Sequence, residues 1–130
     1  MTANTYRKGD RLLADLRNDS HRPIDDPGKD YTEAVVLALN EHDWFEVKLA
    51  DGSPMTLHGT CLYERSLRGA LDAWYAARAD QRTLERTIAA ARREGTAEAN
   101  FIEARRAAAE RVVKAQIPLR RGNPYWIGRP

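Results

Sequence analysis

Up to residue 63 the apolar positions of this chain alternate, and from residue 64 onward they recur every three or four. The alternating part predicts strands. In "DRLLADL" (10–16), Leu12, Ala14 and Leu16 share one face. "YTEAVVLALN" (31–40) is apolar on both faces in its middle, which predicts cover on both sides. In "WFEVKLA" (44–50), Phe45, Val47 and Leu49 point one way, and Trp44, Glu46 and Lys48 the other. "PMTLHGT" (54–60) returns with Met55 and Leu57 inward, and "CLY" (61–63) reads as a last short strand or a tight turn. Polar pairs at His42-Asp43 and Asp51-Gly52 mark turns, the second a strong hairpin signal. Residues 17–30, with two prolines and a glycine, read as a long loop.

From Glu64 the period is helical: Leu67, Leu71, Trp74, Ala77, Leu84, Ile88 and Ala91 fall on one stripe. Gly95 stops the helix, and Thr96 is the expected N-cap of a second one carrying Ala97, Phe101, Ala104, Ala108 and Val112. The prediction is an α+β chain in three parts. Five strands form a small barrel over residues 6–63. An antiparallel helical hairpin follows over 64–115, with helices at about 64–94 and 97–115. The tail, 116–130, holds three prolines and two glycines and is expected to be extended. A barrel of this size stands near the lower limit for an independent core. The helical segment is therefore expected to cover one side of the sheet.

Composition narrows the class. The chain has 130 residues, 42% apolar and 31% charged, which is ordinary for a globular protein and holds no run long enough to span a membrane. The N-terminus lacks the apolar stretch of a secretory signal, and the lone Cys61 excludes an internal disulfide; both fit a cytoplasmic setting. Charge is uneven. Residues 1–63 hold 7 Lys/Arg against 11 Asp/Glu (−4), 64–115 hold 11 against 8 (+3), and 116–130 hold 3 against none (+3). The back half is mildly basic, but not enough to demand nucleic acid.

The strand pattern "KGDRLLA…YTEAVV…WFEVKLADG…LHGTCLY" resembles Tudor-type and related SH3-like barrels over residues 8–63. The matching features are Gly9-Asp10, the Tyr31 to Val36 strand and the Val47 to Gly52 hairpin. The resemblance implies a five-stranded barrel of a kind that binds methylated residues, peptides or nucleic acids. It does not extend to the aromatic cage that grips methylated cations. The cage positions fall at Leu16, Tyr31 or Thr32, Leu49 and Asp51, of which at most one is aromatic.

Candidate chemistry is sparse. His58 and Cys61 sit three apart, too few for a zinc site and without a third group to orient a nucleophile. The acidic residues Asp25, Asp26, Asp30 and Glu33 follow no calcium-loop order. No phosphate loop, nucleophile elbow or dinucleotide fingerprint occurs. The expectation is therefore a protein without catalytic residues, cofactor or metal. Two clusters remain. Arg120, Arg121, Tyr125, Trp126 and Ile127 combine the residue types that most often anchor interfaces, between prolines that lower the entropy lost on docking, and such a tail either docks on a partner or folds back over its own barrel. Arg78, Arg82 and Arg86 recur every four residues, and with Arg93, Arg105 and Arg106 they form a cationic ridge suited to tracking phosphates. The leading expectation is a non-catalytic adaptor that docks a protein partner through its tail and helical face. Two alternatives are a nucleic-acid-associated regulatory factor of bacterial or phage type, and a structural subunit whose helices self-associate.

Overall fold

The structure, a computed structural model, describes residues 6–16 and 31–126. The strands are β1 (Arg11–Asp15), β2 (Tyr31–Leu39), β3 (Trp44–Leu49), β4 (Pro54–His58) and β5 (Leu62–Glu64), and the helices are α1 (Arg68–Arg93) and α2 (Ile102–Gly122). The fold class is α+β, as the alternation and the later helical period predict. The chain divides into two compact units, Met1–Arg68 together with Pro118–Pro130, and Gly69–Ile117.

The first unit holds a five-stranded antiparallel sheet in the order β4-β3-β2-β1-β5. Three consecutive hairpin partners, β2, β3 and β4, lie to one side of β1, and a single 3-10 turn (Gly59–Cys61) carries the chain to β5 on the other. The five strands form one antiparallel sheet, and among the described residues no ladder joins β4 to β5. The inward positions are those that the alternation marked. Leu12, Ala14, Leu16, Ala34, Val36, Phe45, Val47, Leu57 and Leu62 form one buried cluster, with Leu49 and Met55 packed against it. Fully burying each large member contributes about 1.5–3 kcal/mol.

The turns obey local chemistry. Gly52 adopts φ +89°, which a Cβ disfavours. The Asp51 carboxylate closes that hairpin by accepting from the Ser53 backbone N–H at 2.9 Å and its hydroxyl at 2.6 Å. These bonds favour the ionised carboxylate and hold its pKa below the usual aspartate value, the side-chain bond first. At the β2–β3 turn, His42 and Asp43 both take left-handed backbone (φ 59° and 66°), a conformation residues of this type tolerate better than branched ones. A bulge between Val36 and Ala38 makes Leu37 the extra residue of β2. Leu37 and Leu39 stay exposed, so the expected cover on both faces of β2 is absent there. The apolar run reflects a shifted register, not a strand buried on both sides.

In the second unit, α1 and α2 form an antiparallel pair. The direction is visible in two ion pairs: moving from Glu85 to Arg92 along α1, the partner steps back from Arg105 to Glu98. The turn between them closes α1 with Gly95 at φ +88°, its N–H on the Arg92 carbonyl and the Thr96 N–H on the Ala91 carbonyl. Thr96 does not cap the next helical segment, which begins after Ala97 with no side-chain cap. The second helix instead begins through a 3-10 turn, Glu98–Phe101, after Ala97. The expected start at residue 97 is therefore five residues early.

The tail differs most from expectation. Residues 116–122 are not extended; α2 runs through Pro118 to Gly122. A proline inside a helix loses one backbone hydrogen bond and crowds the preceding turn, at a cost of about 3 kcal/mol. The turn after it is nevertheless kept, because Leu119 and Asn123 are fully buried and Gly122 lies against Leu67.

Tyr6 supplies a measurable consequence of this packing. It is 3% exposed, and its hydroxyl donates to the Leu62 carbonyl at 2.6 Å. Burial first, then the negative charge of Glu64, raises its pKa far above the ordinary tyrosine value. The neutral form belongs to the fold, whereas the unfolded chain ionises near pH 10. Its contribution is complete below about pH 10 and is lost as pH rises further. Urea melts across this range are expected to show a stability decline that flattens in Tyr6→Phe, even though that variant starts lower at neutral pH.

Candidate functional site

The expected partner anchors in the tail are used within the chain. Asn123 is completely buried, and its side-chain NH₂ donates to two carbonyls, Gly59 at 3.1 Å and Leu62 at 2.8 Å. Its own side-chain oxygen accepts from the Tyr125 N–H at 2.9 Å, which bends the chain back toward the sheet. The Tyr125 ring then rests on Gly59, where a Cβ would come within 2.5 Å of two ring carbons. It also packs against Tyr6 and Phe45, at centroid distances of 5.1 and 5.5 Å. The Tyr125 hydroxyl accepts from the Tyr6 backbone N–H at 3.2 Å, and burial raises its pKa. Trp126 donates its indole N–H to the Thr60 carbonyl at 3.1 Å and the Tyr63 hydroxyl at 3.0 Å.

Sequence composition marked Tyr125 and Trp126 as anchors, and anchors they are, but for their own sheet. An aromatic flanked by prolines has the same cheap docking entropy whether the groove belongs to a partner or to the same chain. The intramolecular groove wins because it is always at hand. The same stretch hid Asn123, whose signal was an amide one residue before Pro124, a turn-forming dipeptide. Arg120 sits with its guanidinium 5.8 Å from the Trp126 ring centre, and Arg121 is exposed. Ile127 lies outside the described residues, as do Asp25, Asp26 and Asp30.

The cationic ridge is also partly occupied. Arg78 lies over the Trp74 ring at 4.7 Å. Arg105 makes a two-pronged contact with Glu85, Nε to Oε2 at 3.0 Å and Nη2 to Oε1 at 2.8 Å, and this raises its pKa. Arg106 bonds Glu103 at 3.2 Å. Arg82 and Arg86 also interact with neighbours, and Arg93 is exposed near the end of α1. The four-residue period is real, but these guanidinium groups do not form one free row.

His58 and Cys61 do not act together either. The His58 ring nitrogen Nδ1 accepts from the Thr60 N–H at 3.2 Å, and the ring meets the edge of Trp44 at 5.3 Å. Cys61 is 8% exposed and belongs to the apolar cluster.

What the sequence did not single out is a groove on the outer sheet face, about 630 Å³, lined by residues that include Arg11, Tyr31, Glu33, Val35, Lys48 and Arg68. The ladder explains it. Arg11 pairs with Val35 and Val35 with Lys48, so two cations flank one half-buried valine in a single row across three strands. Neighbouring strands are about 4.8 Å apart, which puts the two charges roughly 10 Å apart at their backbones. Neither Arg11 nor Lys48 has an ion pair among the described residues. Arg68 stands beside them, held by Glu33 at 3.3 Å and lying over the Tyr31 ring at 5.5 Å. A second, wider hollow of about 800 Å³ is lined by Leu39, Asn40, Glu41, Trp44 and Thr56. The row of cations depends on strand register, which the linear order conceals: Arg11 and Lys48 are far apart in the chain.

No protein family, curated protein or solved structure matches this chain. Among the described residues no helix is long and apolar enough to cross a membrane.

Two substitutions test the internal use of the tail. Asn123→Ala removes the donor from the Gly59 carbonyl, at a cost of about 1–3 kcal/mol for a buried unmet group, while the Leu62 carbonyl keeps the Tyr6 hydroxyl. A thermal melt is expected to fall by several degrees, at roughly 3–6 °C per kcal/mol for a chain of this size. Gly59→Ala drives a methyl into the Tyr125 ring and is expected to destabilise comparably, with the Tyr125 ring resonances shifting in NMR spectra. A melt unchanged in both variants would show the tail free of the sheet.

Proposed function

We propose that this chain is a non-catalytic protein-binding protein, an adaptor that docks an acidic segment of its partner in the outer groove of the sheet. The observation that carries this reading is the row Arg11–Val35–Lys48, two exposed cations with no ion pair among the described residues, on either side of an apolar floor. Arg68, stacked on Tyr31 and steadied by Glu33, supplies a third donor whose geometry is already set. Among the described residues the groove gathers three cations against one carboxylate, within a unit whose sequence is otherwise acidic. A strand-borne site is also rigid, so little ordering entropy opposes binding. Two acidic side chains two or three residues apart on an extended partner span about 7–10 Å, which matches the separation of the cations.

The absence of a catalytic role is part of the same proposal. His58, the histidine nearest a thiol, has its Nδ1 engaged by Thr60, and Cys61 is in the core. The adaptor reading moves the expected docking site from the tail to the sheet, because Asn123, Tyr125 and Trp126 are committed within the chain. A nucleic-acid role draws less support, since Arg78, Arg105 and Arg106 are already engaged on the helices.

Titration calorimetry with a Glu-rich extended peptide, against the same peptide with Gln for Glu, tests this reading. Binding of the acidic peptide alone is expected, weakened at least about tenfold by Arg11→Glu with Lys48→Glu. Equal binding of both peptides, or no effect of the paired reversal, would refute it. Salt-sensitive binding to DNA or RNA in place of the peptide would transfer the function to nucleic acid.

A further inference from the structure

Helix α2 has two apolar faces, and only one is covered. Ala108 is 1% exposed, and Phe101, Val112 and Ala115 beside it are half-buried. The other face carries Ile102, Ala109, Val113 and Ile117. At 100° per residue these four fall within a wedge of about 80°, centred roughly 120° away from the covered face. Ile102 is 54% exposed, Val113 58% and Ile117 36%. Three large aliphatic side chains this open share one face over four turns of the helix, with the small Ala109 and the stem of Arg106 in the same wedge between Ile102 and Val113.

We propose that this stripe packs against the same stripe of a second copy of the chain, with the two α2 helices antiparallel. Spacing and charge both point to this occupant. Around a two-fold axis near Ala109 and Glu110, Ile102 of one copy faces Ile117 of the other. Val113 then lies over the small Ala109 and the aliphatic stem of Arg106. The stripe is self-complementary in this direction, as an isologous interface requires. Along one flank, Glu103 lies in the N-terminal half of the helix and Lys114 in the C-terminal half. In an antiparallel pair the same flanks meet, so each Glu103 approaches the second copy's Lys114. Glu103 is 83% exposed at its side chain and is already turned toward this side by Arg106. Lys114 has no ion pair among the described residues. In a parallel pair opposite flanks meet and the levels of residues 103 and 114 stay about three turns apart, so Glu103 would not reach the second copy's Lys114.

Sedimentation equilibrium of the full chain, from micromolar to high micromolar concentration, tests the proposal. A monomer–dimer equilibrium is expected, with Val113→Glu weakening it at least about tenfold. Because Val113 is exposed, circular dichroism of that variant is expected to match the native chain. Lys114→Glu is expected to weaken association, and Glu103→Lys added to it to restore it, which reports on antiparallel register and not on hydrophobicity alone. A monomer at every concentration would overturn the proposal. So would a dimer indifferent to Val113→Glu, and so would failure of the double charge swap to restore what Lys114→Glu removes.

Discussion

The Leu62 carbonyl is the point at which both ends of the first unit are fastened. It accepts from the Tyr6 hydroxyl on one side of the chain and from the Asn123 amide on the other, at 2.6 and 2.8 Å. Residues 6 and 123 are separated by almost the whole sequence, so this closure carries a large loop entropy. It is offset locally. Tyr6, Phe45 and Tyr125 pack as a trio of rings with centroids 5.1–5.8 Å apart, and the Tyr125 ring rests directly on Gly59. Without a bare backbone at Gly59 the third ring has no seat, and without Asn123 the turn that aims it is unsupported.

Several features follow from that closure. The 3-10 turn Gly59–Cys61 and strand β5 are short, three residues each, and strands so short are marginal alone. They are held by Asn123, Tyr125 and Trp126, just beyond α2, as well as by the ladder to β1. The proline in α2 becomes tolerable for the same reason: the last helical turn is fixed by what lies beyond it. The aromatic and cationic residues of the tail are thereby drawn into architecture. Outside that architecture, the outer groove of the sheet and one face of α2 stay exposed.

Those two surfaces are separate in kind. The groove is polar, preformed on strands and suited to charge. The α2 stripe is apolar and suited to area. A chain that both doubles through a helix and presents a cationic groove on each copy gains avidity toward a partner with repeated acidic segments, without any further contact.

The sequence alone determined the strands, their inward faces, the Asp51-Gly52 hairpin and the change to helix after Glu64. Each is a local matter of period or of one residue's backbone preference. Leu12, Phe45, Val47 and Leu57 were legible as core because alternation permits little else. The same local logic failed where long-range partners decide. Pro118 predicted an end to the helix, and tertiary anchoring at Leu119 and Asn123 kept it going. Thr96 looked like a cap, but the next helical segment begins after Ala97 with no side-chain cap. Tyr125 and Trp126 were recognisable as anchors, since residue type fixes how much area a side chain offers. What they anchor to was settled only by the fold, because sequence carries no record of which surface lies nearest. The row of Arg11 and Lys48 was invisible for a related reason: it exists only in the strand register, which places residues 37 positions apart on neighbouring sides of Val35.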